Sequence, residues 1–170
     1  IDPEDKTIII YRELYEKGLT GEALGDKITD LEMNEVKSIG GVLDTAAWSR
    51  TGYTGPTIGE ILIQKGHKLR RADKNRLAGK IQIHEHLRQD RSTGRPRLQI
   101  LSTCTNLIKE LQSLPLSKSN PEDVDTHSSD HAYDALRYMI MSRPKLDHPY
   151  DRMLQIKTRM YQPSDETFGY

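Results

Sequence analysis

The chain has one cysteine, Cys104, so it cannot close an internal disulfide. A single thiol fits a reducing compartment. Tryptophan and phenylalanine occur once each, and apolar residues make up 35% of the 170 positions. That is low for a globular chain and predicts a modest core with long polar loops or tails. No apolar run approaches the roughly 20 residues of a membrane span, so no membrane partner is expected. The opening Ile1-Asp2-Pro3-Glu4-Asp5 is neither basic nor apolar, unlike a signal peptide. A starting methionine is missing, and the chain reads as a fragment. No cysteine pair completes a zinc site, and His84 and His86 are two apart, facing different ways on a helix. Gly52-Tyr53-Thr54-Gly55 fits neither a P-loop nor a dinucleotide fingerprint.

What is present is charge, unevenly spread. The net charge is zero, yet residues 1–47 carry five Lys/Arg against eleven Asp/Glu, and residues 65–97 carry eleven against three. The first stretch is net −6 and the second net +8. Such separation can set a basic groove beside an acidic pocket, or simply give two solvated faces.

Strands and helices alternate along the chain. Thr7–Tyr11 has the β-branched and aromatic content of a strand, and Pro3–Lys6 before it reads as a turn. A further strand is therefore expected ahead of Ile1. Thr20 suits a helix N-cap, with Leu24, Ile28 and Leu31 as the buried stripe. Ile39–Leu43 reads as a buried strand ending at Asp44. Pro56 suits the first position of a second helix and Gly66 its stop. A short strand follows near Lys68–Arg71, and Asp73 is placed to cap a third helix running to about Gln89. Leu98–Leu101 is another strand, Asn106–Leu114 a helix, and Ser117–Ser129 a polar loop. A last helix starts near Asp130, and after Arg143-Pro144 the composition turns polar. The alternation predicts an α/β layered sheet.

Three groups of residues could carry chemistry. Asp44 sits at the tip of a buried strand, where ligands of α/β sheets gather, and could bind Mg²⁺ or Mn²⁺. It could equally cap the turn that follows. Asp130 and Asp134 are four apart on one helix face, with His131 one step round. Like charges there call for a neutralising partner, such as a metal. The plainer alternative makes Asp130 an N-cap, with Asp134 paired to Arg137 or solvated. Third, six of the thirteen residues from Lys68 to Lys80 are basic: Lys68, Arg70, Arg71, Lys74, Arg76 and Lys80. That density beside a helix start favours phosphate contact, although a solvated face would look the same. Cys104 has no activating base nearby in sequence and reads as a buried thiol.

The ordered segments resemble one family. They are Gly40-Gly41-Val42-Leu43-Asp44, Gly55-Pro56-Thr57-Ile58 and Arg70-Arg71-Ala72-Asp73-Lys74-Asn75-Arg76. Arg95-Pro96-Arg97-Leu98-Gln99-Ile100, Asn120–Asp125 and Asp130–Tyr138 follow in order. Over residues 1–143 the set is similar to the nuclease domain of large terminase subunits from tailed bacteriophages. The resemblance implies an RNase H-like fold, with a mixed central sheet flanked by helices, over residues 1–143, followed by a polar tail at 144–170. It also implies an endonuclease that cuts concatemeric DNA during genome packaging with two Mg²⁺ or Mn²⁺ ions. The ions would be held by acids from three places. Asp44 matches the later-strand acid. Asp130 and His131 match the late-helix position, with Asp134 beside them. The first-strand acid has no match among these residues. Double-stranded DNA, the terminase ATPase domain, the small subunit and the portal are the implied partners, in the cytoplasm of a bacterial host. The alternatives are a catalytically silent DNA-binding or docking module of the packaging motor, which the unmatched first acid favours for this chain, or another RNase H-like nuclease.

Overall fold

The computed structural model describes residues 7–35, 40–50, 54–91, 93–115 and 130–143. The expected Pro3–Lys6 turn, the start of the second strand at Ile39, the Ser117–Ser129 loop and the 144–170 tail lie outside the described residues. In chain order the elements are β1 (Ile8–Ile10), α1 (Gly21–Glu32), β2 (Gly41–Leu43), a 3₁₀ turn (Thr45–Trp48) and α2 (Ile58–Gln64). Then come β3 (Leu69–Arg71), α3 (Arg76–Leu87), β4 (Leu98–Ile100), α4 (Thr105–Ser113) and α5 (His131–Met141). The chain is α/β, as the alternation predicts.

The strands pair in parallel, joined by helical crossovers as parallel strands require. β1 lies beside β4 with Ile9 opposite Gln99, and β2 beside β3 with Val42 opposite Arg70. A single mixed central sheet was expected. Among the described residues there are instead two separate two-stranded ladders, and the antiparallel pairing is one isolated bridge between Gln89 and Pro96.

Side-chain capping explains where the helices begin. Thr20 caps α1 by accepting from the Ala23 amide at 3.2 Å. α2 opens at Ile58 rather than Pro56, because Thr57 and Glu60 form a reciprocal capping box. α3 opens at Arg76, because Asn75 accepts from the Ala78 amide at 3.0 Å. Asp73, the expected cap, instead accepts from the Asn75 amide at 2.9 Å. Gly66, at φ +96°, turns the chain out of α2, a conformation that favours glycine. On α1, Leu24, Ile28 and Leu31 are only half-buried, while Gly21 and Gly25 are buried. The glycine edge lets α1 approach Ile61 and Leu62 of α2 closely, so backbone rather than the leucine stripe makes that contact.

The main core joins β1, β4 and three helices. Ile8, Ile83, Leu98, Cys104, Leu107, Tyr133, Leu136 and Ile140 are buried together. Cys104 is fully buried, and that burial pushes its thiol up from the ordinary value, consistent with an inert structural role. α5 packs on α3 and α4 and also touches β2, so it links the core to the second strand pair.

The α3–α5 crossing depends on Gly79. A Cβ there would collide with Arg137 Cγ and lie 2.8 Å from its Cδ. Gly→Ala within a helix ordinarily stabilises by about 1 kcal/mol. Here Gly79→Ala is expected to destabilise by about 1–3 kcal/mol, as overpacking does. Thermal unfolding checks the sign, and a raised Tm would show that Arg137 is free to move aside.

Candidate functional site

Asp44 follows β2 directly, at its C-terminal tip, and caps the 3₁₀ turn by accepting from the Ala46 amide at 2.6 Å. Its second oxygen accepts from the Tyr138 hydroxyl, and Lys74 Nζ stands 3.6 Å from the first. The Ala46 amide, the Tyr138 hydroxyl and then Lys74 hold its carboxyl below the usual range, against the effect of burial. Asp44 is thus kept ionised. Burial, and then the bond to Asp44, push the Tyr138 hydroxyl up to about 12, so it stays a donor.

Tyr138 carries the site onto α5. Residues 130, 134 and 138 are spaced by four, so Asp130, Asp134 and Tyr138 form one line along the helix. Asp130 is at the N-cap position, yet its side chain caps nothing. Arg76, at the start of α3, lies between the acids: Nη2 is 3.6 Å from Asp130 Oδ2, and Nη1 is 3.6 Å from Asp134 Oδ2. Asp134 Oδ1 also accepts from Arg137 Nε at 3.1 Å, and Nη2 stands 3.0 Å from the same oxygen. Burial, and then the charge of Asp134, raise the Asp130 carboxyl above the usual range despite Arg76. The two carboxylates therefore repel in a partly desolvated place, where a cation is favoured.

His131 takes another direction. It is exposed, roughly 100° round the helix from Asp130. Its ring centroid is 6.5 Å from that of Tyr15. It borders a cavity of about 460 Å³ floored by Ile10, Leu107, Leu136 and Met139. The structure thus gathers Asp130 and Asp134, connects Asp44 to them through Tyr138, and turns His131 toward Tyr15. Among the described residues no group of three His, Cys, Asp or Glu side chains meets closely enough to hold an ion alone.

Several basic residues of this stretch have partners within the fold. Arg76 and Lys74 face the acids. Arg70 donates to the Ser142 carbonyl at 2.8 Å, at the C-terminal end of α5, where the helix dipole favours a cation. Arg71 lies over the Trp48 ring, 5.5 Å from its centroid. Lys68, Arg70, Arg71 and Lys74 are exposed, and Lys80 is half-buried on α3. The stretch thus supplies counter-charge to the acids as well as cations at the surface.

Sequence spacing did not single out Tyr138, Arg137 or Glu110. The four-residue register from Asp130 to Tyr138 was the available signal for Tyr138. Arg137 was foreseen only as a partner for Asp134, not as a side chain that is 1% exposed. Nothing in the sequence pointed to Glu110, whose partners lie at Tyr15 and Tyr133.

The donors here are carboxylate oxygens, as hard cations prefer. The Arg76 guanidinium already stands between Asp130 and Asp134, so an ion bound by both would take its place. Comparison with protein-family models, curated proteins and solved structures finds no match to this chain, so its functional reading rests on this geometry.

Proposed function

We propose that this chain is a metal-dependent DNA endonuclease of RNase H-like type, akin to the nuclease domain of a phage large terminase. The observation that carries the reading is the Tyr138–Asp44 hydrogen bond. It joins the acid at a parallel strand's tip to the helix bearing Asp130 and Asp134. When bound, divalent ions would neutralise charge growing on the phosphate and lower the pKa of a water. Asp130 and Asp134 would hold such an ion, and Asp44, kept ionised, would add negative charge at the far end of the line. Lys68, Arg71 and Lys74 would grip phosphates without reading sequence. His131, facing Tyr15, would act only at the margin. By the same reading the substrate is double-stranded concatemeric DNA, and the partners are a packaging ATPase domain, a small subunit and a portal in a bacterial cytoplasm. No helix among the described residues is long and apolar enough to cross a membrane, which is compatible with those partners.

A second reading is a DNA-binding module that does not cut. It is favoured by the pairing of the acids: Asp44 with Tyr138 and Lys74, Asp130 with Arg76, Asp134 with Arg76 and Arg137. Supercoiled plasmid nicking in Mn²⁺, with and without EDTA, separates the two. EDTA-sensitive nicking supports the enzyme, and binding without nicking supports the module.

Both readings predict sequence-insensitive binding that weakens steeply with salt. Each phosphate contact contributes a slope of about −0.9 in log affinity against log salt. Replacing Lys68, Arg71 and Lys74 together by alanine should flatten the slope by up to about 3. Fluorescence anisotropy at several salt concentrations measures it, and an unchanged slope would put the DNA path elsewhere.

A further inference from the structure

Asp130 occupies the N-cap position of α5, where an aspartate ordinarily accepts from the second or third amide of the helix. It makes no such bond. The third amide, that of Tyr133, donates instead to Glu110 Oε2 at 2.8 Å. Glu110 belongs to α4, is 6% exposed, and accepts from the Tyr15 hydroxyl at 3.1 Å through its other oxygen. α4 is itself capped from outside. Its own N-cap, Cys104, supplies no side-chain acceptor, and Glu13 accepts from the Asn106 amide at 2.9 Å and the Leu107 amide at 3.0 Å. Two helix starts in succession are thus capped by glutamates from elsewhere in the chain.

We infer that Glu110 is a positioning residue for the candidate site: by taking the Tyr133 amide it releases the Asp130 carboxylate from capping and leaves it facing Arg76 and Asp134. A carboxylate that caps its own helix spends an oxygen on backbone amides and points along the helix axis. With Glu110 in place, the same side chain presents its oxygens beside those of Asp134. The relay runs from Glu13 to the start of α4, and from Glu110 on α4 to the start of α5. It ties the loop after β1 to the orientation of Asp130. The consequence for metal binding rests on the nuclease reading; the consequence for the Asp130 rotamer does not.

The test uses the whole chain with Mn²⁺ as the probe. Glu110→Met removes the acceptor at similar volume, and Glu110→Gln keeps an oxygen for the Tyr133 amide. In Glu110→Met the Asp130 backbone should move from ψ 17° toward the extended N-cap conformation and its side chain to the capping rotamer, read from NMR backbone shifts and χ1 couplings. Mn²⁺ affinity, read from paramagnetic broadening, should fall about 10–100-fold, as loss of an orienting neighbour does at metal sites. Glu110→Gln should restore both. An unchanged rotamer in Glu110→Met, or no rescue by Glu110→Gln, overturns the inference. If the parent chain binds no Mn²⁺, the nuclease reading fails and the rotamer still decides this one. If Glu110→Met does not fold, Asp130→Ala decides: the Tyr133 amide must keep its hydrogen-exchange protection, and loss of protection would show that Asp130 is the cap after all.

Discussion

Replacing Asp130 by asparagine is expected to lower Mn²⁺-dependent plasmid nicking by roughly three orders of magnitude while leaving the protein at least as stable at neutral pH. Stabilisation of phosphoryl charge by a bound ion amounts to several kcal/mol, at about 1.4 kcal/mol per tenfold in rate. A neutral amide forfeits most of it by weakening the ion's hold. The stability half follows from the sign of the shift. Burial and Asp134 raise the Asp130 carboxyl in the folded state. A raised acid favours the fold while protonated, below its unfolded pKa, and that contribution is lost as pH rises through the folded value. At neutral pH the ionised carboxylate is therefore a strain on the fold, and asparagine removes it together with the repulsion from Asp134. Loss of the Arg76 contact works against this, but the net shift already includes that contact. A residue that costs stability and is needed for activity marks a functional site. Nicking rates and denaturation midpoints on the same two proteins check both halves. Undiminished, EDTA-sensitive nicking by Asp130→Asn would remove Asp130 from the chemistry. A clear loss of stability would make it a structural counter-ion for Arg76.

Much of the local architecture was legible in the sequence. A β-branched run located β1, a short apolar run β2 and the Gly94–Pro96 turn β4, each within a residue or two, because strand propensity and bounding turn residues act locally. Thr20 as a cap and Gly66 as a stop were legible for the same reason. Helix starts at Pro56 and Asp73 missed by two or three residues. Thr57 with Glu60, and Asn75 alone, offer better-placed acceptors, and a choice between adjacent caps turns on a few tenths of a kcal/mol. The site was legible only in part. The four-residue spacing put Asp130 and Asp134 on one face, and the strand tip marked Asp44. The tyrosine joining them did not stand out, because a Tyr at a buried helix position reads as core. Glu110 was hidden for a plainer reason: its partners lie 23 and 95 positions away, and only tertiary packing, of α4 on α5 for Tyr133 and of the segment after β1 for Tyr15, brings them together. The basic stretch misled in one respect. Charge density says that cations cluster, but not that Arg76 stands between Asp130 and Asp134.

Replacing Arg137 by methionine is expected to destabilise the fold by about 3 kcal/mol, the low end of the 3–5 kcal/mol that breaking a buried ion pair costs. Arg137 is 1% exposed, and its guanidinium forks onto one oxygen of Asp134. It also lies over the Tyr138 ring, 4.5 Å from the centroid, and its stem fills the space that Gly79 leaves open. Methionine keeps much of the stem packing but removes the charge and leaves Asp134 to Arg76. Asp134 is 21% exposed, so water softens its loss, and this places the estimate at the low end. Lysine should recover only part, since a point charge cannot reproduce the planar fork or its stacking on Tyr138. Adding Asp134→Asn to Arg137→Met should recover part of the loss, because Asp134 is then left with the longer Arg76 contact alone and much of the cost lies in that under-compensated carboxylate. Urea titrations at constant slope measure all four proteins, the parent included. A loss below about 1 kcal/mol in Arg137→Met would mean that the pair is no better than a surface contact. No recovery in the double variant would place the cost in packing against Gly79 and Tyr138. In the first case the line from Asp130 to Tyr138 would owe its position to the hydrophobic face of α5, and in the second to the packing of the arginine's stem and not to its charge.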